Sequence, residues 1–288
     1  MLEFDQALTR MDGMGRYSNN SELIPSEVLA QKARIEILRM TSASKASHVA
    51  SSLSVVDILS VLYSEIANIS PKTVSDIDRD VVILSKGHAA AALYSVLALK
   101  EFFGIEWLKA YCLDGAQLGG HVTSKNVPGV ELSTGSLGHG LPYGLGIAIS
   151  RKRFKIKGNI YVVMSDGECD EGTTWESALI ANHYRLNNLN VIIDRNKIQS
   201  LDYTESTIAL EPLDRKWESF GWEVIQVDGH SHKSLFESFE FPSLKPKCII
   251  ANTTKGKGVD FMENSVLWHY KSPNESELKN AISQVEGI

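Results

Sequence analysis

Cysteine is scarce in this sequence. Cys112, Cys169 and Cys248 are too few and too scattered for a disulfide framework, so a reducing, cytoplasmic setting is expected. Cys169 lacks a histidine partner in its sequence neighbourhood and reads as a passive residue. Long apolar runs are missing too. No stretch is expected to span a membrane, which takes about 20 apolar residues, and the start, MLEFDQALTR, carries charges where a signal peptide needs an apolar core. Nor is there an excess of positive charge. Against 35 Asp and Glu stand 29 Lys and Arg, a net charge of −6, which argues against nucleic acid or an anionic membrane as partner. Internal repeats and low-complexity segments are absent as well. What is present, 288 residues with 43% apolar content, suffices for one large α/β domain. Residues 1–22 are polar, with Gly13, Gly15 and an Asn-Asn-Ser run, and read as a loosely held arm ahead of a single domain over 23–288.

One stretch organises the chain. The apolar run Ile160 to Met164 stops at Ser165-Asp166-Gly167-Glu168, and a second run, Leu189 to Ile193, stops at Asp194-Arg195-Asn196-Lys197-Ile198. Both read as buried parallel strands. Between them Trp175, Ala178, Leu179 and Asn182-His183 recur at helical spacing behind Gly172 and Thr173. The unit is strand, turn, helix, strand, with a right-handed crossover expected. It places Asp166 and Asn196 at the carboxyl ends of adjacent strands, where open α/β sheets bind ligands. A carboxylate, an amide oxygen and the Ile198 carbonyl offer three hard oxygens to one cation. That is half an octahedron, which Mg2+ completes with water and diphosphate oxygens. Taken alone, Asp166 and Asn196 would be ordinary strand-end turn formers.

Further strands are expected at Asp80–Ser85, Trp222–Val227 and Cys248–Thr253, and helices at Pro25–Met40, after His48, at Ala89–Lys100, after Gly140 and at Ser231–Phe239. The fold class is α/β, a mostly parallel sheet with helices on both faces. The polar stretch Leu201–Pro212 reads as a surface loop over the site, and Asn274–Ile288 as a charged, solvated or partner-facing helix. Lys255 and Lys257 stand among glycines after the last strand and could bind phosphate, but the frame lacks the order of a P-loop and the helix start that follows it.

Asp166-Gly167, thirty positions ahead of Asn196, with ECDEGTTWE at Glu168 to Glu176, His183-Tyr184 and DRNKIQ at Asp194 to Gln199, resembles the thiamin diphosphate signature of the transketolase family. Ser165 stands in place of the family's usual Gly. Other segments carry the same resemblance. Lys45-Ala46-Ser47-His48-Val49-Ala50 is similar to the family's Lys-x-Gly-His-x-Gly, with Ser47 and Ala50 in place of glycines. Ser85-Lys86-Gly87-His88 and Ser133 to Gly140 (STGSLGHG) match its cofactor loops, and Gly120-His121-Val122 its Gly-His-Pro, with Val122 for the proline. Altogether the resemblance spans about residues 25–275. It implies a thiamin diphosphate-binding fold in which Asp166, Asn196 and Ile198 hold Mg2+, while Gly135, Leu137, Gly167, Glu168, His88 and His269 line the cofactor cleft. It also implies that His48, His88, His121 and His269 bind donor hydroxyls and shuttle protons, and that Glu171 links two active sites across an interface.

Thiamin diphosphate supplies a ring carbanion that adds to ketone carbonyls. In transketolases the glutamate that activates it belongs to a pyrimidine-binding domain absent from these 288 residues. The expected protein is therefore the diphosphate-binding subunit of a split transketolase, working with a pyrimidine-binding partner in an α2β2 assembly on sugar or sugar-phosphate substrates. Two alternatives stand beside it: the α subunit of a 2-oxoacid dehydrogenase, and a transketolase-like scaffold without turnover.

Overall fold

A run that is apolar at every position can lie flat only where both of its faces are covered. The computed structural model, which describes residues 24–287, shows this arrangement. The expected arm over residues 1–22 lies outside the described residues. In chain order the first elements are α1 (Ser26–Ser44), α2 (Val49–Val61), β1 (Val81–Leu84), α3 (Ala90–Leu99), α4 (Gly140–Phe154), β2 (Ile160–Ser165) and α5 (Gly172–His183). There follow β3 (Leu189–Arg195), the single turn α6 (Thr204–Thr207), α7 (Leu213–Ser219), β4 (Glu223–Asp228), α8 (His232–Glu240), β5 (Lys247–Asn252) and α9 (Glu275–Glu286). All five strands are parallel, in the order β1-β2-β3-β5-β4. In β2 and β3 every residue is buried.

Alternate side chains serve two cores. Val82, Leu84, Tyr161, Val163 and Ile192 pack with α1, α2 and α3, and Val81, Ile83, Val162, Met164, Val191 and Ile193 pack with α4, α5 and α7. Each fully buried Leu, Ile or Val contributes about 1.5–3 kcal/mol relative to exposure. Helix α2 is buried all round, Ser54 and Asp57 included. Those two polar residues are satisfied internally: Ser54 Oγ donates to Asp194 at 2.6 Å and Arg34 pairs with Asp57. Through one π turn the helix continues to Ile66. The 18-residue run Val49–Ile66 is apolar and long enough, by composition, to cross a membrane, which corrects the expectation that no such run exists. In this fold it is a core helix.

Two helices differ from expectation. Helix α1 runs past Met40 to Ser44 and stops only where Lys45 turns left-handed, at φ 54. The C-terminal helix α9 is not merely solvated. Asn274 and Glu277 form its capping box, Ala281 and Val285 are buried, and Gln31 Nε2 donates to the Val285 carbonyl at 3.1 Å, so it closes over α1.

Candidate active site

Four loops at the carboxyl ends of the strands carry the histidines. His48 precedes α2 in the left-handed region, φ 73, and its N–H donates to the His269 carbonyl at 2.8 Å. His88 sits in the turn Gly87–Ala89 that follows β1, and His269 ends the turn Val266–His269. His121 is held by a loop whose Val122 N–H donates to the Gly87 carbonyl at 3.0 Å. The ring of His48 lies 5.3 Å from that of His88, 5.6 Å from His121 and 5.0 Å from His269, and His88 lies 5.9 Å from His269. All four expected histidines therefore converge. Tyr270, not expected, joins them 4.7 Å from His269.

Glycine permits this closeness. A Cβ on Gly87 would stand 2.6 Å from the Gly135 nitrogen, and Gly135, at φ 151, would press a Cβ to 2.9 Å from the His121 ring. No such need exists where Ser47, Ala50 and Ser165 replace family glycines. Left-handed backbone falls on Lys45 and His48 instead, Ala50 lies within α2, and Ser165 at φ −85 caps the next turn.

Asp166 and Asn196 stand at the ends of β2 and β3, which pair directly. Asp166 Oδ1 accepts from Gly167 N at 2.9 Å, and Oδ2 accepts from Lys197 N at 2.7 Å and Arg195 Nη1 at 3.1 Å. Asn196 Oδ1 accepts from Ile198 N at 3.1 Å, while its Nδ2 faces Ser54 and Asp194. Asp194 is fully buried, pairs with Lys86 and accepts from Ser54 and Thr253, so the amide is oriented from behind. Lys255 Nζ then links the two halves of the site. It donates to the Ile198 carbonyl at 2.9 Å and to His269 Nδ1 at 2.8 Å. When Lys255 is charged, His269 Nδ1 must accept and the imidazole proton resides on Nε2.

Burial pushes the His48 imidazole down to about 4, with His121, Lys255 and Lys86 adding to the effect. Burial likewise takes His269 to about 3 and His88 well below its usual range. These three rings are therefore neutral at pH 7, and each can both donate and accept, as hydroxyl recognition requires. Lys255 is 1% exposed, is pushed down to about 7 by burial and the nearby Lys86, and forms no ion pair among the described residues. A buried ammonium without a carboxylate fits an anion such as diphosphate. Asp166 is raised by burial despite Arg195, and its oxygens, with those of Asn196 and Ile198, keep free lone pairs. This hard-oxygen set fits a divalent cation.

Not every expected residue faces the cleft. Glu168 is fully buried and turned inward, its Oε1 accepting from Ser85 Oγ at 2.6 Å and Gly138 N at 3.1 Å and its Oε2 from Ser165 N at 2.9 Å. It anchors the Gly135–Gly138 loop, and a cofactor-contacting role does not follow from its geometry. Gly167 lies beside the Gln199 side chain, and Leu137 is half-buried in the glycine loop. Glu171 is exposed at the start of α5, against Gly138. Sequence reasoning does not single out Lys86 or Arg195 as site residues, and it raises Lys255 only together with Lys257, as lysines among glycines after a strand that could bind phosphate. Lys255 follows β5 by three residues, and β5's neighbour β3 ends at Arg195, next to Asn196.

Residues 26–285 match the family described as transketolase, thiamine diphosphate binding domain. An apulose-4-phosphate transketolase subunit from Actinobacillus succinogenes is 39% identical over 275 residues, covering 95% of this chain and 99% of its own. The 6-deoxy-6-sulfo-D-fructose transketolase subunit SqwG of Clostridium sp. is 38% identical over 242 residues, covering 83% of this chain and 88% of its own. Transketolase of Campylobacter jejuni superposes with a TM-score of 0.85 at 29% identity, over 93% of this chain but 43% of its own. The chain thus spans less than half of a full transketolase, yet matches transketolase subunits along most or nearly all of their length. It belongs to the transketolase thiamine diphosphate binding family, as a transketolase-like subunit of the split kind.

Proposed function

We propose that this chain is the diphosphate-binding subunit of a two-chain transketolase that moves a two-carbon ketol unit from a ketose with an anionic terminus to an aldehyde acceptor. One observation carries the reading: the Lys255 ammonium, without an ion-pair partner among the described residues, bridges the Ile198 carbonyl and His269 Nδ1. An anion-binding charge thereby stands between three hard oxygens and a cluster of imidazoles. Asp166, Asn196 and the Ile198 carbonyl would hold Mg2+, and Lys255, Gly135, Leu137, Gly167 and His88 would shape the cleft for the diphosphate. Bound thiamin diphosphate would supply the carbanion that attacks the donor carbonyl. His48, His88, His121 and His269 would hydrogen-bond the sugar hydroxyls. The depressed basicity of His48 and His269 lets either pass on a proton without holding it.

The anionic terminus is suggested by two relatives, one named for a sugar phosphate and one for a sulfonated sugar. A partner subunit would contribute the pyrimidine pocket in an α2β2 assembly. Tyr143 and Phe154 on α4 and Leu179, Ile180 and Tyr184 on or beside the adjoining α5 are exposed large side chains that a partner chain would cover. Glu171, exposed beside them, would lie at that junction. All three cysteines are unpaired, in keeping with a cytoplasmic enzyme.

The test is turnover by the complex this chain forms in its own cells, supplied with thiamin diphosphate and Mg2+. Apulose 4-phosphate or 6-deoxy-6-sulfo-D-fructose should be cleaved when an aldose acceptor is present. Turnover of pyruvate in place of ketoses would overturn the reading in favour of a 2-oxoacid dehydrogenase subunit.

A further inference from the structure

Arg195 ends β3 one residue before Asn196, and its side chain is 2% exposed. Its guanidinium reaches in two directions. Nη1 donates to Asp166 Oδ2 at 3.1 Å and to Thr204 Oγ1 at 2.7 Å, while Nη2 donates to Glu205 Oε1 at 3.1 Å and Glu211 Oε1 at 2.7 Å. Both glutamates are half-exposed and organise the backbone around them. Glu205 accepts from Leu210 N at 3.1 Å and Glu211 from Leu213 N at 2.9 Å. On the other side Thr204 N donates to the Lys197 carbonyl at 3.0 Å, and Lys197 N to Asp166 Oδ2 at 2.7 Å. Residues 204–213 are therefore tied to one side chain that also grips Asp166, while Gln199 is held by Asp170 at 2.7 Å and Lys255 at 3.3 Å.

One positive charge is shared among three carboxylates, one of them fully buried. Whatever hold Asp166 gives up, Glu205 and Glu211 gain. A divalent cation on Asp166 would compete with Arg195 for the carboxylate and repel the guanidinium, moving its charge toward the two glutamates. That tightens the segment. Removing the glutamate charges does the reverse and returns Arg195 to Asp166.

We propose that Arg195 is a positioning residue that couples the order of segment 204–213 to cation occupancy of Asp166. The inference rests on the reading of Asp166 as a cation ligand. Binding linkage makes the coupling reciprocal, so the segment also sets the cation affinity.

The experiment uses the co-purified two-chain complex with thiamin diphosphate, Mn2+ as the probe, electron paramagnetic resonance for Mn2+ affinity and hydrogen exchange for the amides of 204–213. Mn2+ is expected to slow exchange in that segment by about fivefold or more. Glu205→Gln with Glu211→Gln is expected to weaken Mn2+ binding about tenfold, a coupling of the usual allosteric size. In an Arg195→Met background the same pair of substitutions should change it by less than about twofold. An equal loss in both backgrounds would mean that the glutamates act through space, which overturns the role of Arg195. Segment exchange unmoved by bound Mn2+ overturns it too, and that wild-type comparison decides the matter even where Arg195→Met fails to fold. A wild-type complex that binds no Mn2+ overturns the cation reading itself, and the coupling falls with it.

Discussion

Lys255→Met separates what holds the fold from what holds the ligand. In the folded chain burial takes the Lys255 ammonium from 10.5 to about 7. At about 1.4 kcal/mol per pH unit, that gap withholds about 5 kcal/mol of stability below pH 7. The unfolded chain keeps its proton up to about pH 10.5 while the folded chain loses it near 7, so stability rises as pH rises between those values. Methionine removes this dependence. It also leaves the Ile198 and Gln199 carbonyls and His269 Nδ1 without their donor, at about 1–3 kcal/mol for each buried acceptor. The two effects oppose each other, about 4 kcal/mol gained at pH 7.5 against about 3–9 kcal/mol lost, so the unliganded variant is expected between about 1 kcal/mol more stable and about 5 kcal/mol less stable than wild type. Binding has no such compensation. A charge-assisted bond to diphosphate contributes about 1.5–3 kcal/mol, so affinity for thiamin diphosphate should fall about 10- to 150-fold. Calorimetric titration of the two-chain complex with Mg2+ present measures the affinity, and urea unfolding from pH 7 to 10 measures the slope. An affinity within about threefold of wild type, below the smallest such loss, would refute the reasoning.

Asp166→Ala should abolish Mg2+-dependent retention of the cofactor while the far-ultraviolet circular dichroism stays unchanged, and full cofactor occupancy would remove Asp166 from the cation site. The histidines make the chain acid-sensitive: with His48 near 4 and His269 near 3 against 6.5 when unfolded, the unfolded state binds protons first as pH drops. The histidines' contribution to stability is therefore fully present above pH 6.5 and is lost toward pH 3; a urea midpoint flat from pH 7 to 4 would contradict the buried cluster. Gly87→Ala puts a Cβ 2.6 Å from the Gly135 nitrogen, which should cost about 1–3 kcal/mol and lower the melting temperature by a few degrees. An unchanged melting curve would mean that the Ser85–His88 turn does not sit against the glycine loop.

The β2–α5–β3 unit is readable because each strand is apolar along its length and each ends in a turn residue that breaks the pattern. That unit places Asp166 and Asn196 at the carboxyl ends of adjacent strands, and the family resemblance is what marks them as cation ligands. The histidines do not. His48, His88, His121 and His269 come from four loops far apart in the chain, and in sequence only a family resemblance connects them, where in space the ring distances do. Glu168 illustrates what local pattern misses. It sits in the expected motif, but its partners Ser85 and Gly138 lie 83 and 30 residues away, and they turn it into the protein. In sequence Lys255 is one lysine of a glycine-rich loop, and nothing local distinguishes it from Lys257. Burial against Ile198 and His269 is what separates them. Arg195 reads as the middle letter of a strand-end motif, and its ties to Glu205 and Glu211 turn an expected surface loop into an anchored one.

The most direct test of the split-enzyme reading is a native mass spectrum of this chain purified from its own cells with Mg2+ present. The predicted species contains two copies of this chain, two of a second chain and two thiamin diphosphates. A lone chain without cofactor would contradict it, and the catalytic roles given to the four histidines would go with it.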